Sequence, residues 1–260
     1  MTDARLTGKV ALITGSDSGI GQGSAIEMAK EGADIVVHYL KDKAGAEHTR
    51  AEVEKAGRRA VVVQADLADE EAVDGLFAEA LSAFGTVDIL MNCAGVDASG
   101  THVADLTTDV FEYAMKINVF AAVWTCRRFI NIRKAAGGSG KIINVTSVHQ
   151  EIPRAGAADY GCSKGALRNL TYTLALELAP LGINVNNIGP GMVLTPFNQK
   201  AINDPKFLDE QVQSIPLKRA AQPSEIGRLA VFLASDDASY VTGSTYFMDG
   251  GLMQNTGQGA

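Results

Sequence analysis

The stretch that decides the fold is residues 9–31, KVALITGSDSGIGQGSAIEMAKE. Residues 9–14 form a short apolar run that predicts a buried strand, and residues 22–31 have the pattern of a helix. The glycines between them permit a tight turn and let the backbone approach a ligand closely. Because the N-terminus of a helix attracts anions, the stretch predicts a pyrophosphate site. Its residues are Gly15, Asp17, Ser18, Gly19, Ile20 and Gly21.

The same alternation of strand and helix patterns continues to the end of the chain. Nearly continuous apolar runs are typical of strands buried on both faces of a parallel sheet, which requires helical crossovers. The sequence therefore predicts an α/β fold, with residues 1–260 as a single-domain Rossmann fold. We expect a doubly wound, parallel, seven-stranded sheet with helices on both faces. The predicted strands are residues 9–14, 34–39, 59–64, 87–92, 141–146, 183–188 and 245–248.

Composition narrows the class of protein. Of 260 residues, 46% are hydrophobic and 20% charged, which is typical of a globular chain, and no run approaches the ~18–20 apolar residues of a membrane span. The net charge of −7 argues against nucleic acid as a partner. The N-terminus has no secretory pattern, and three cysteines without ligand spacing indicate thiols in a reducing compartment, so we expect a cytoplasmic protein. The four histidines are scattered, so we expect no metal site.

The end of the second strand bears on which nucleotide is bound. An acidic residue there reads the ribose hydroxyls in many dinucleotide sites. Here the strand ends His38, Tyr39, Leu40, Lys41, and no carboxylate comes before Asp42. The missing acid and the charge of Lys41 favour NADP over NAD, whereas Asp17 favours the opposite. We expect His38 to be a half-buried strand residue rather than a ligand.

Tyr160 and Lys164 are the strongest candidates for chemistry. They are four residues apart in a predicted helix, residues 155–179, and so share one face. A phenol with a pKa near ~10 is a poor base at neutral pH, and a nearby ammonium favours the phenolate. Ser147 directly follows the predicted strand 141–146, where its hydroxyl can meet the same substrate oxygen. Together the three side chains predict an acid–base site.

Two other patterns are decoys. Residues 161–165 formally match the Gly-x-Ser-x-Gly elbow of hydrolases, but no apolar strand leads into them, which argues against Ser163 as a nucleophile. Residues 137–141 lack the upstream glycine and the following helix of a P-loop.

Several motifs in order carry a resemblance that covers essentially the whole chain. They are Thr14-Gly-x-x-x-Gly19-x-Gly21, Asp66-Leu67, Asn92-Cys-Ala-Gly95, Asn118, Ser147, Tyr160-x-x-x-Lys164 and Pro190-Gly191. The chain resembles the short-chain dehydrogenase/reductase family, which implies an NAD(P)-dependent oxidoreductase that interconverts an alcohol and a carbonyl. Cys93 departs from the usual Asn-Asn-Ala-Gly pattern.

The resemblance implies roles for individual residues. Tyr160 would exchange the proton, Ser147 would position the substrate oxygen, Lys164 would hold the nicotinamide ribose, and Asn118 would anchor a relay water. The implied cofactor residues beyond the glycine turn are Tyr39, Lys41, Asp66, Leu67, Asn92, Ala94, Gly95, Tyr160, Lys164, Pro190, Gly191, Val193 and Thr195.

Further motifs are Ser147-Val-His149, Asn186-Asn-Ile-Gly-Pro190-Gly, Thr195-Pro-x-Asn198, Ser239-Tyr-Val-Thr-Gly243 and the glycine-rich residues 257–260. In these stretches the chain resembles the bacterial glucose 1-dehydrogenases of that family. This likeness implies a sugar or polyol substrate in contact with Asp97, Ser147, His149, Tyr160 and Asn198, whose donors and acceptors suit hydroxyl groups. Alternatively, His149 and Asn198 only cap loop backbone. Residues 189–214 are too long for a simple connector, so we expect a substrate lid there.

Alternatives remain at this point. One is a 3-oxoacyl or other small-ketone reductase of the same family. Another is a catalytically silent, dinucleotide-binding regulatory protein, since a fold alone does not give a function. Apolar residues on more than one face of residues 107–134 and 155–179, with strand 245–248, indicate subunit contacts. The family resemblance implies a homotetramer.

Overall fold

The structure is a computed structural model that describes residues 4–255, so the glycine-rich residues 257–260 lie outside it. Seven parallel strands form one sheet in the order β3-β2-β1-β4-β5-β6-β7, and helices cover both faces. The predicted fold is therefore confirmed. The strands are β1 Val10–Ile13, β2 Asp34–Tyr39, β3 Ala60–Gln64, β4 Ile89–Asn92, β5 Gly140–Val145, β6 Ile183–Pro190 and β7 Thr245–Met248.

Nine α-helices connect and cover the strands in the described part of the chain. They are α1 Gly19–Lys30, α2 Lys43–Lys55, α3 Glu70–Phe84, α4 Thr108–Met115, α5 Ala121–Ala135, α6 Ala158–Leu178, α7 Gln199–Asn203, α8 Pro205–Gln211 and α9 Pro223–Ala234. None of the helices within residues 4–255 has both the length and the apolar character needed to cross a membrane.

Side chains alternate between the two faces of the sheet and form two apolar layers. On one face, Ile13, Ile35 and Met91 pack under α1, α2 and α9. On the other, Leu12 and Leu90 pack under α3, α5 and α6. The strand order reverses between β1 and β4, because β1 pairs with β2 on one side and with β4 on the other. At such a switch point the carboxyl ends of the strands leave a crevice for a ligand.

A row of buried polar side chains crosses the second face near the carboxyl ends of β4, β5 and β6. Asn92 donates to Asn144 Oδ1 over 2.8 Å, and Asn144 donates to Thr171 Oγ1 over 2.7 Å. Thr171 donates to Asn187 Oδ1 over 2.6 Å. We call Asn92, Asn144, Thr171 and Asn187 the polar ladder. Because it ties three strands to α6, it fixes the strand ends from which the crevice is built.

Helices α4 and α5 are joined by one π-helical turn, Lys116–Phe120. The sequence predicted one helix over 107–134 with apolar residues on more than one face. A π turn inserts one residue, which rotates the following helix by about 100° relative to the preceding one. That rotation explains the spread of apolar residues, and it places Asn118 inside the turn.

Candidate active site

A cavity of about 740 Å³ opens along the carboxyl ends of the strands. The glycine turn before α1 lines one end, and residues 190–214 line the other. Its size is typical of a small-molecule site. We call the first part the nucleotide end and the second the substrate end.

The glycine turn has the geometry that an anion site requires. Among the described residues, the Ser18 side chain makes no capping hydrogen bond to α1, so the first N–H groups of the helix remain for another acceptor. Gly15 has a φ of +64°, and a Cβ there would lie 2.9 Å from Ala94 Cα. A Cβ at Gly21 would lie 2.1 Å from the Gly15 oxygen. All six predicted residues of the turn line the cavity: Gly15, Asp17, Ser18, Gly19, Ile20 and Gly21.

Most of the other predicted nucleotide residues line the cavity too. They are Asp66, Leu67, Ala94, Gly95, Pro190, Gly191, Val193 and Thr195. Asn92 does not, because its amide belongs to the polar ladder and accepts from Thr125 Oγ1 over 2.7 Å. The sequence placed residues 92–95 along the adenosine ribose, whereas the Asn92 side chain lies inside the sheet.

The end of β2 differs from the expectation. Tyr39 is 6% exposed and packs in the core, and Lys41 is exposed but lies outside the cavity lining. Alternation along the strand turns His38 and Leu40 toward the cavity instead. His38 is 2% exposed, so it is fully rather than half buried. Asp17 also faces the cavity, and burial raises the pKa of its carboxyl.

Ser147, Tyr160 and Lys164 meet on the wall of this cavity. The Lys164 Nζ lies 5.4 Å from the centre of the Tyr160 ring and donates to the Val145 carbonyl over 3.0 Å. Ser147 sits directly after the loop that follows β5, and its Oγ accepts from the His149 N–H over 3.1 Å. The predicted acid–base set is thus brought together.

Burial dominates the protonation of this set. It raises the pKa of Tyr160 to about 12, opposed by the Ser147 hydroxyl and by Arg154. It lowers the pKa of Lys164 to about 8. The pKa of Tyr160 thus lies above that of an ordinary phenol, whereas the sequence led us to expect a lower value, because removing the phenolate from water is costly.

Asn118 is close to this set but its side chain does not line the cavity. Its Oδ1 accepts from the Val96 N–H over 2.8 Å, and its Nδ2 donates to Ser163 Oγ over 2.9 Å. The Ser163 hydroxyl in turn donates to the Tyr160 carbonyl over 2.7 Å and is fully buried. Asn118 therefore clamps the loop after β4 to α6, and Ser163 is no exposed nucleophile.

The three predicted substrate residues Asp97, His149 and Asn198 all line the substrate end. They also bind loop backbone. His149 Nδ1 lies 3.0 Å from the Ile152 carbonyl oxygen, and Asn198 Nδ2 donates to the Val193 carbonyl over 2.8 Å. Each of these two side chains therefore caps a loop with one polar group and leaves the other for a ligand, so their contact with a substrate stays a prediction.

Sequence reasoning missed other residues of the lining. They include Cys93, Val96, Tyr113, Arg154, Met192, Phe197, Lys200 and Phe207. Most come from loops or short helices, where no periodic pattern marks the side that faces a ligand. Within residues 4–255, no three His, Cys, Asp or Glu side chains are grouped as metal ligands.

A doubly wound sheet with a glycine turn at its switch point, beside Ser147, Tyr160 and Lys164, defines a dinucleotide-binding oxidoreductase class. Known proteins agree. A family model described as enoyl-(acyl carrier protein) reductase matches residues 15–253. Glucose 1-dehydrogenase 2 of Bacillus subtilis (strain 168) is 36% identical over 247 residues, 95% of each chain. The 3beta-hydroxysteroid dehydrogenase 1 of Eggerthella lenta is 39% identical over 247 residues, 95% of this chain and 94% of that protein.

A solved structure, that of acetoin dehydrogenase from Enterobacter cloacae, matches with a TM-score of 0.88 and 34% identity over 98% of this chain and 99% of that one. The chain belongs to the short-chain dehydrogenase/reductase family, as its motifs predicted. It is an enzyme of that family, whose members use NAD or NADP.

Proposed function

We propose that the protein interconverts an alcohol and a carbonyl on a sugar or polyol by hydride transfer with NAD(P). One observation carries this proposal. The uncapped glycine turn and the side chains of Ser147, Tyr160 and Lys164 line the same cavity. A nicotinamide nucleotide held at the glycine turn would supply the hydride acceptor in one direction and the hydride donor in the other. The phosphates of the nucleotide would lie at the turn, because the first N–H groups of α1 have no capping side chain.

Each residue has a defined part in the reaction. In the oxidation direction, the Tyr160 oxygen takes the proton of the substrate hydroxyl as the hydride leaves the carbon. The Ser147 hydroxyl binds the same oxygen and supports the charge that develops on it. Lys164 would bind the ribose of the nicotinamide nucleotide, and its positive charge favours the Tyr160 phenolate. Asn118 keeps the loop after β4 against α6 beside this set, and reduction runs by the reverse steps.

The choice between NAD and NADP depends on the end of β2. The sequence favoured NADP on account of Lys41, but Leu40 is the side chain that faces the cavity. Asp17 faces it too, and a carboxylate repels a 2′-phosphate. We therefore propose that NAD is the better cofactor. The ratio of kcat/KM for the two nucleotides tests this directly.

The polar groups of the substrate end support a polyhydroxylated substrate. Asp97, His149 and Asn198 supply a carboxylate, an imidazole and an amide. A relative of known sugar activity, the glucose 1-dehydrogenase 2 above, adds support. A second candidate, a larger ketone, is favoured by the apolar lining at Tyr113, Met192, Phe197 and Phe207 and by the hydroxysteroid dehydrogenase relative.

A substrate panel separates the candidates. Absorbance at 340 nm is followed with sugars, polyols, small ketones, 3-oxoacyl thioesters and hydroxysteroids, each with both nucleotides. We expect the highest kcat/KM for a sugar or polyol. A preference for a ketone, a thioester or a steroid would replace the sugar proposal. Binding of NADH without turnover of any compound would instead favour a dinucleotide-binding regulatory protein.

We also propose a homotetramer of single-domain subunits, with residues 189–214 closing over the substrate. Large apolar side chains stay exposed on the long helices, among them Leu176 at 82% and Phe120 at 49%. Tyr240, ahead of β7, is fully exposed. The three free thiols support a cytoplasmic location. Light scattering at micromolar concentration is expected to give four times the chain mass, and a monomer would overturn the assembly proposal.

A further inference from the structure

His38 is a buried polar side chain that the proposed reaction does not use. It lies near the end of β2, is 2% exposed, and lines the nucleotide end of the cavity. A buried imidazole needs partners for both ring nitrogens, since an unpaired polar group in the core is costly. Both nitrogens of His38 have a partner, and both partners belong to segments that line the cavity.

The first partner is the phosphate turn. The Gly15 N–H donates to His38 Nδ1 over 2.9 Å. The main chain adds two further bonds, because the Ser16 N–H donates to the His38 carbonyl and the His38 N–H donates to Ser16 Oγ, each over 3.0 Å. Three hydrogen bonds thus join one residue of β2 to the first two residues after Thr14.

The second partner is the exit of β3. His38 Nε2 lies 3.1 Å from the Ala65 carbonyl oxygen. Since Nδ1 accepts a hydrogen from Gly15 and a carbonyl can only accept, the proton of the neutral ring must be on Nε2. Burial lowers the pKa of His38 to about 4, so the ring is neutral near pH 7. Ala65 directly precedes Asp66 and Leu67, which line the nucleotide end.

We propose that His38 is a positioning residue for the dinucleotide, which holds the Gly15 turn and the Ala65–Leu67 segment at the separation that the cofactor requires. The inference rests on the proposed cofactor roles of Gly15–Gly21 and Asp66. Gly15 can neither carry a side chain nor relax, because Ala94 lies against it. The Gly15 N–H therefore holds the turn in place only while an acceptor stands where His38 Nδ1 lies.

A purely structural role makes a different prediction. If His38 only fills the core, its replacement lowers the unfolding temperature and leaves the cofactor affinity of the folded protein unchanged. If it positions the turn, cofactor affinity falls in the folded protein, and a side chain that restores only the acceptor toward Gly15 restores the affinity.

Three variants and one control test this. His38→Leu removes both ring contacts, His38→Asn keeps an acceptor at the place of Nδ1, and His38→Gln keeps reach toward Ala65 only. Asn186→Leu is the matched control. Asn186 is 1% exposed and does not line the cavity, and the substitution removes its hydrogen bonds to Val241 and Ser244. The dissociation constants of NADH and NADPH are measured by fluorescence titration, beside the unfolding temperature and kcat at saturating cofactor.

We expect His38→Leu and His38→Gln to weaken binding of the preferred nucleotide about tenfold, which is the loss of about one hydrogen bond to a fixed partner. His38→Asn stays within about threefold of the wild type, and kcat at saturation changes little. The control loses thermal stability with its dissociation constants unchanged.

Several outcomes would overturn the proposal. One is a folded His38→Leu protein that binds as the wild type does, and another is equal loss in the Asn and Gln variants. If His38→Leu fails to fold, the Asn and Gln pair decides alone. A wild type that binds NADH yet turns over no substrate refutes the proposed function and leaves the binding comparison valid. A wild type that binds neither nucleotide refutes both.

Discussion

The two ends of the cavity are formed by different kinds of structural element. The nucleotide end rests on the sheet: the turn after β1, the last residues of β2, and the exits of β3 and β4, where His38 and Ala65 are 2% and 6% exposed. The substrate end rests on loops and on α7 and α8, where Phe197 is 55% exposed. The difference teaches that the fold dictates the cofactor site, whereas the substrate site can vary without disturbing the fold.

Physical reasons for this difference lie in the backbone. At the nucleotide end, hydrogen bonds join segments far apart in sequence, as between Gly15 and His38. Helices of five and seven residues, such as α7 and α8, are too short to be stable on their own. The α8 start depends on Asp204, whose carboxylate accepts from two N–H groups. Ligand contacts there are thus free to rearrange.

The largest effect is expected where the two ends meet, at Tyr160. Tyr160→Phe removes the proton donor and acceptor while keeping the ring, so kcat should fall by about 10³-fold or more at unchanged NADH affinity. Steady-state rates and fluorescence titration measure the two quantities. Tyr172→Phe, on the same helix and 37% exposed, is the control. A Tyr160→Phe enzyme with a tenth of the activity or more would contradict the acid–base assignment.

The next effect concerns Lys164, whose pKa burial lowers to about 8. The unfolded chain binds the Lys164 proton up to pH ~10.4, whereas the folded protein releases it earlier, so this group makes unfolding free energy rise between about pH 8 and 10. Lys164→Met should remove that rise.

Urea unfolding at a series of pH values measures it, with Lys200→Met, an exposed lysine of the substrate end, as the control. Parallel curves for the wild type and Lys164→Met across this range would show that the buried amine titrates normally.

A smaller change is expected at the nucleotide end itself. Leu40→Arg places a guanidinium beside the cavity, which binds a phosphate in a bidentate manner, so kcat/KM for NADP should rise about tenfold relative to NAD. Lys41→Ala should leave the ratio nearly unchanged, because Lys41 does not line the cavity. The prediction fails if Lys41→Ala shifts the ratio and Leu40→Arg does not.

The smallest effect is expected at the substrate end. Asn198→Ala removes a side chain whose amide already serves the Val193 carbonyl, so we expect KM for the substrate to rise about threefold, the value of one weak hydrogen bond. Cofactor affinity and unfolding temperature should stay the same. Ile202→Ala, 46% exposed and outside the lining, is the control. A large drop in cofactor affinity would mean that the two ends are not independent.

The sequence was informative where one physical rule acts alone. Apolar runs predicted all seven strands, and glycine spacing predicted the turn, because only glycine fits beside Ala94. The sequence was less informative where the depth or orientation of a side chain decides its protonation or its contacts. The Tyr160 pKa moved opposite to expectation because the depth of the ring cannot be deduced from a Tyr-x-x-x-Lys spacing.

His38 was taken for an ordinary strand residue, since the partners of its two nitrogens lie 23 and 27 residues away. Residues 189–214 were marked by their length, but loops have no periodic pattern that shows which other side chains face a ligand.

The polar ladder has a consequence for folding. Apart from the ladder and from Lys141, Asn184 and Asn186, strands β4, β5 and β6 are apolar, so several alignments between them would bury similar apolar surface. A shift of one residue turns every side chain of a strand to the opposite face. It would carry Asn144 or Asn187 from its partners into the layer of Ile143, Ile188 and Ile226, with its amide unpaired. The ladder thus penalises each wrong register by the cost of orphaned amides, and it aligns Ser147 with the rest of the site before any ligand arrives.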